Sequence, residues 1–177
     1  EILHIFPDFM RPRWEKVAEQ ADRLQEIRLR VNQPVTVLMD HRERFLSERG
    51  AFTDDIAHAG YSDEKELEAV LSHLCHYSIY AFADEIRQGF MTIRGGHRVG
   101  LSGQVILEDG ERIRNIKYIR YLNIRIAHQV RGVSDKALPF LYSQGEVLNT
   151  LIISPPGCGK TTILRDLVRN FSAGNAC

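Results

Sequence analysis

The stretch Ser154-Pro155-Pro156-Gly157-Cys158-Gly159-Lys160-Thr161-Thr162 has the residue types and spacing needed to grip a polyphosphate. A phosphate-binding loop reads Gly, four residues, then Gly-Lys-Ser/Thr. Gly159-Lys160-Thr161 meets its second half, and Ser154 stands where the first glycine is usual. A triphosphate is small and highly charged, so many donors must converge on it. Backbone amides approach closely only where side chains are absent, which is the reason for Gly157 and Gly159. Lys160 is expected to neutralise the β- and γ-phosphate oxygens, and the Thr161 hydroxyl to ligate Mg²⁺. Thr162 is placed to bond the α-phosphate. Pro155-Pro156 stiffens the approach to the loop, and Cys158 reads as a passive small residue. The expected ligands are ATP and Mg²⁺, although no base-reading motif separates ATP from GTP.

Such a loop must be held between a strand and a helix, because the positive end of the helix faces the phosphates. Val147–Ile153 reads as a buried-type strand before it. Lys160 to about Phe171 reads as a helix after it, with Ile163, Leu164, Leu167 and Val168 on one side. Hydrolysis needs more: a second strand ending in an acid for Mg²⁺, and a residue to polarise water. Only 17 residues follow Lys160. The chain as given is therefore expected to hold an incomplete ATPase domain, and to bind ATP weakly or not at all.

Upstream, Arg13–Ala21 reads as a short helix with Pro12 near its first turn. Glu26–Val31 alternates charged and apolar residues, the mark of a half-buried strand. Val35–Met39, a turn at Asp40-His41 and Arg42–Ser47 read as a hairpin. Ser62 is expected to cap a helix whose Leu67, Val70, Leu71 and Leu74 face the core. A second helix spans Ile79–Gln88 and stops at Gly89. The period then falls to two: strands at Phe90–Ile93, His97–Leu107, Arg112–Ile119 and Asn123–Ala127, with turns at Gly95-Gly96 and Asp109-Gly110. Ser134–Leu141 reads as a helix that Pro139 shortens or kinks. Gln144-Gly145 marks a boundary. The fold class expected is an α+β domain over residues 1–145, followed over 146–177 by the opening of an α/β nucleotide domain.

Composition is that of an ordinary globular chain, 44% hydrophobic and 26% charged with no net charge. No apolar run is long enough to span a bilayer. The amino terminus shows no basic segment leading into an apolar one, so no secretory signal is expected. Cys75, Cys158 and Cys177 form no paired framework, which points to a reducing, cytosolic setting. Eighteen of the 23 basic residues are Arg, and residues 87–131 carry eight arginines and Lys117 against three acids. That stretch suits phosphates, nucleic acid or an acidic neighbour, or is a solvated sheet face. His73, Cys75 and His76 lack a second ligand pair at zinc spacing. Gly95–Gly103 is followed by a strand, so the dinucleotide reading fails and a hairpin turn with a bulge is the simpler reading; the alternative puts His97 and Arg98 on a rim that contacts a partner subunit's nucleotide.

The segments Glu26-Ile27-Arg28-Leu29-Arg30, Gly95-Gly96-His97-Arg98-Val99-Gly100, Asn123-Ile124-Arg125-Ile126-Ala127 and Ser154–Asp166 together resemble the stage III sporulation protein AA family. The resemblance implies an ATPase of the mother-cell cytoplasm, peripheral to the membrane. Its partners would be membrane proteins of a channel between mother cell and forespore. It also implies likeness to the hexameric motor ATPases of type II and type IV secretion. In those, an amino-terminal domain packs over a RecA-like core and sends arginines toward the nucleotide. Arg125, and after it Arg98, are the local counterparts. Two other readings stand beside this one. One is a nucleic-acid-associated P-loop ATPase. The other is an α+β oligomerisation or interaction module without activity of its own.

Overall fold

The computed structural model describes residues 2–128, 130–143 and 146–174. The chain divides into two compact units, Glu1–Ala127 and His128–Cys177. In the first unit the elements are α1 (Arg11–Glu19), β1 (Leu24–Arg30), β2 (Gln33–Pro34), β3 (Thr36–Met39), β4 (Arg42–Leu46), β5 (Phe52–Thr53), β6 (Tyr61–Ser62), α2 (Glu64–Leu74), α3 (Ala83–Gln88), β7 (Phe90–Thr92), β8 (Arg98–Glu108) and β9 (Arg112–Arg125). In the second they are α4 (Leu138–Leu141), β10 (Tyr142–Ser143), β11 (Glu146–Val147) and α5 (Lys160–Ser172).

The first unit is built on a seven-stranded sheet of order β5-β4-β3-β1-β9-β8-β7. Its pairings are antiparallel. Side chains alternate across such a sheet. Ile27, Leu29, Val37, Val99, Leu101, Leu122 and Ile124 fall on one face and are buried. Trp14 and Val17 of α1, Leu67, Val70, Leu71 and Leu74 of α2, and Ile86 of α3 close over it in one core. Trp14 stacks on Phe6 at 4.0 Å between ring centroids.

The β3–β4 turn is the one expected at Asp40-His41. Both residues have positive φ, 48° and 63°, which lets the turn follow the twist of its strands. The α2 cap lies one residue later than expected. Ser62 belongs to β6, and Asp63 Oδ1 accepts from the Glu66 amide at 2.7 Å. Ile79–Phe82 is a 3₁₀ turn, and α3 then ends at Gly89 with φ of 81°.

Arg13 is a buried cation in α1. Its Nε donates to Ser47 O at 3.2 Å, and Nη1 lies 3.4 Å from Glu48 and 3.6 Å from Glu66. The chain passes so close that a Cβ on Gly60 would sit 2.2 Å from Arg13 Nη2. Burial raises the Glu66 pKa, and Arg13 pulls it back down.

β9 runs unbroken through Arg120 and Tyr121, where two strands were expected. β1 pairs with it only from Tyr121 to Arg125, and β7 pairs with β8 only from Arg98 to Gly100. Among the described residues, Gln104–Glu108 and Arg112–Lys117 therefore pair only with each other, as a two-stranded ribbon beyond the sheet. The register slips where the ribbon leaves the sheet, between Ser102 and Gln104, opposite Tyr118 with φ of 48°.

In the second unit the strand expected at Val147–Ile153 does not form. Only Glu146–Val147 is extended, paired antiparallel with Tyr142–Ser143. Leu151 and Ile153 are each 82% exposed. A strand is satisfied by neighbours; the Leu148 amide donates to Leu141 O at 2.9 Å, and residues 149–153 pair with no strand among the described residues. The helix expected at Ser134–Leu141 shrinks to α4, with Pro139 in its first turn. The boundary expected at Gln144-Gly145 and the tail at Cys177 lie outside the described residues.

Candidate functional site

Helix α5 begins at Lys160, as the loop motif requires, and Gly159 is its N-cap. Gly157 and Gly159 have φ of 79° and 77°. A side chain at either would meet nothing within 4 Å. Their need for glycine is therefore conformational rather than steric. The first helical bond runs from the Ile163 amide to Gly159 O at 2.9 Å. No side chain caps this end. Among the described residues, the amides of Lys160, Thr161 and Thr162 thus keep no acceptor, and the helix dipole adds positive potential there.

Lys160 folds back across the loop. Its Nζ donates to Ser154 O and to Pro155 O, both at 2.7 Å, and reaches Ser154 Oγ at 3.4 Å. Residues 154 and 160 are thereby joined across the bend. Thr161 is exposed on the first turn, while Thr162 is half-buried. Cys158 is an exposed free thiol, and its neighbours Pro156 and Gly157 are exposed too. Chemically, this is a concentration of donors and positive charge with no carboxylate in the loop.

What fixes α5 in its unit was not visible in the sequence. The apolar stripe expected from Ile163, Leu164, Leu167 and Val168 is buried only at Leu167, with Leu164 and Val168 half exposed. The helix turns a polar edge inward instead. Asp166 Oδ2 accepts from the Ser134 amide at 2.9 Å and from its hydroxyl at 2.7 Å. Arg169 Nη2 donates to Asp166 Oδ1 at 2.7 Å, and Asn170 Nδ2 donates to Ser134 Oγ at 3.0 Å. Ser134, Asp166 and Asn170 are all buried. The Ser134 amide, then Arg169, hold the Asp166 carboxyl down to a pKa of about 2. The only sequence signal was the Asp166–Arg169–Asn170 spacing on one helical face.

Arg98 and Arg125 belong to the first unit. They are a cross-strand pair of β8 and β9 on the sheet face opposite the core. Arg125 lies 3.4 Å from Glu26, and Arg98 stands over the Phe90 ring at 5.8 Å. Glu26 also accepts from Arg28 at 2.9 Å, and Arg28 reaches Glu43 at 2.5 Å. On this face Glu26 and Glu43 lie among Arg28 and Arg125, while Arg98 stands directly opposite Arg125. His97 is buried and accepts from the Ala127 amide through Nδ1, so it serves the strand end rather than a rim.

The family model described as "Sporulation stage III, protein AA" matches residues 1–177. Stage III sporulation protein AA of Bacillus subtilis (strain 168) is 41% identical over 175 residues, covering 98% of this chain and 52% of that protein. The chain thus spans about half the length of this curated relative. Among solved structures, the pilus retraction motor PilT with bound ADP matches at TM-score 0.49 and 15% identity, over 89% of this chain and 42% of that one. The Legionella pneumophila ATPase DotB matches at 0.48 and 16%, over 93% and 42%. The VirB11 ATPase of the Brucella suis type IV secretion system, in complex with sulphate, matches at 0.35 and 12%, over 92% and 41%. At TM-scores below 0.5 these likenesses establish no shared fold.

Proposed function

The chain belongs to the sporulation stage III, protein AA family, and from that premise we propose that it is the phosphate-gripping part of an ATP-hydrolysing motor subunit in endospore formation. The observation that carries this reading is the loop itself. Three amides at the start of α5 keep no acceptor, the Lys160 ammonium bridges the loop carbonyls of Ser154 and Pro155, and two left-handed glycines shape the bend. Phosphate oxygens would take over the role that Ser154 O and Pro155 O now play for Lys160. Charge-assisted bonds of this kind are about twice as strong as neutral ones. The exposed Thr161 hydroxyl is a hard oxygen donor of the type Mg²⁺ takes alongside substrate phosphates. Mg²⁺, when bound, would neutralise charge on the β- and γ-phosphate oxygens.

In this reading residues 146–177 open a RecA-like ATPase domain, and residues 1–145 form the domain that precedes it. Subunits assemble into a ring, taken as six-membered, at the cytoplasmic surface of the mother-cell membrane, and energise a channel to the forespore. Among the described residues no helix is long and apolar enough to cross a membrane. Arg125 and Arg98 are proposed to complete a neighbour's nucleotide site. Their exposure and the sharing of Glu26 between Arg28 and Arg125 leave them able to change partners. The nucleic-acid reading is less favoured, because Glu26 and Glu43 offset the charge of that face. The test is ATP turnover by a form as long as the curated relative, beside its Lys160→Ala variant. Loss of turnover in the variant supports the proposal, and equal rates remove Lys160 from it.

A further inference from the structure

The first unit contains a cavity of about 670 Å³, far from the loop in sequence and built wholly from residues 4–94. That volume lies in the range of small-molecule sites. Its fixed charges, Arg11 and Arg94, are of one sign. Arg11, Arg94, His73 and His76 contribute to the wall, and no carboxylate does. Arg11 is committed, with Nη1 on Asp8 at 2.7 Å and Nε on Leu3 O at 3.1 Å. Arg94 is not: it stands exposed at the β7–β8 turn and makes no hydrogen bond or ion pair among the described residues. His73 Nε2 lies 3.1 Å from His4 O, and its other nitrogen, Nδ1, is buried without a partner.

Two flat rings, Tyr77 and Phe82, join Ile5, Leu74 and Ile93 in the apolar part of the wall. Tyr77 is 76% exposed although it lines a cavity. Its backbone, and that of His76 before it, is left-handed, with φ of 59° and 50°. Two consecutive non-glycine residues in that region are uncommon, and such strain collects where a side chain must be aimed. Here the strained pair carries one imidazole and one aromatic ring to the mouth of the cavity.

We propose that this cavity binds a small ligand joining a planar ring to a phosphate group, of mononucleotide size, independently of the phosphate-binding loop. Arg94 and His76 meet the phosphate, and Tyr77 and Phe82 face the ring. Arg94 suits this role because its planar fork matches phosphate oxygens.

The test is isothermal titration of AMP, adenosine and inorganic phosphate into the whole chain carrying Lys160→Ala, which removes the loop's ammonium and so separates this site from the function proposed above. AMP is expected to bind at millimolar concentration or below, with adenosine and phosphate each weaker by about tenfold or more. Arg94→Glu, at an exposed turn, and His76→Ala, at an exposed position, are each expected to weaken AMP by about tenfold or more while the melting curve stays in place. The proposal is overturned if AMP gives no heat at millimolar concentration, if adenosine binds as well as AMP, or if both variants keep wild-type affinity.

Discussion

Replacing Gly159 by alanine isolates what the backbone contributes to the loop. Its φ is 77°, and an added methyl would meet nothing within 4 Å. Steric collision therefore contributes nothing, and the whole effect comes from the dihedral. Holding an L-residue left-handed costs about 1–2 kcal/mol. The loop is exposed, so the alanine variant escapes that cost by moving φ to negative values. The amides of Lys160 and Thr161 then turn away from a shared focus. Either route makes the same difference, about five- to thirtyfold in nucleotide affinity. Asparagine tolerates the left-handed region better and should fall between glycine and alanine. The assay is titration of a fluorescent ATP analogue into a full-length form at fixed Mg²⁺ and salt. Alanine binding within about twofold of wild type, or better than asparagine, would refute the reasoning.

Three further outcomes are expected from other parts of the fold. Arg13→Ala leaves Glu66 without its buried cation and should destabilise the first unit by about 3 kcal/mol, read from the fluorescence of the sole tryptophan, Trp14, in a urea titration. Trp14→Ala, removing a fully buried ring stacked on Phe6, should cost about 3–5 kcal/mol by circular dichroism in the same denaturant. Asp166 has a folded pKa depressed to about 2, so its stabilisation of α5 is complete above the ordinary carboxylate range. It should fade as pH falls from about 5 toward 2, measured as accelerated amide exchange in α5. Asp166→Asn should flatten that pH dependence.

Much of the first unit could be read locally, because its elements bury one face each. The alternation around Ile27 and Leu29 and the helical spacing of Leu67, Val70, Leu71 and Leu74 report the core directly. The loop was legible because Gly159-Lys160-Thr161 has a local chemical purpose. Features that depend on distant partners were not legible. The apolar run of residues 148–153 promises a strand, but pairing is a property of neighbours. The Ser134–Asp166 contact spans 32 residues, and no periodicity announces it. The cavity gathers residues from the first helix, the end of α2 and the β7–β8 turn. β9 was divided at Arg120 because the register slip near Tyr118 breaks the alternation that identifies a continuous strand.

The ribbon of β8 and β9 has a consequence for how its amides meet solvent. Along each strand beyond the sheet, every second N–H points toward the other strand and the next points outward. With no flanking strand among the described residues, the outward set has no ladder partner, although the Ile116 amide donates to Asn115 Oδ1 at 2.8 Å. Deuterium uptake should therefore alternate, fast and slow, along Gln104–Ile106, with the alternation broken at the second register slip between Ile106 and Leu107. That sawtooth would vanish on the day another strand came to lie along either edge, making the ribbon its own detector of assembly.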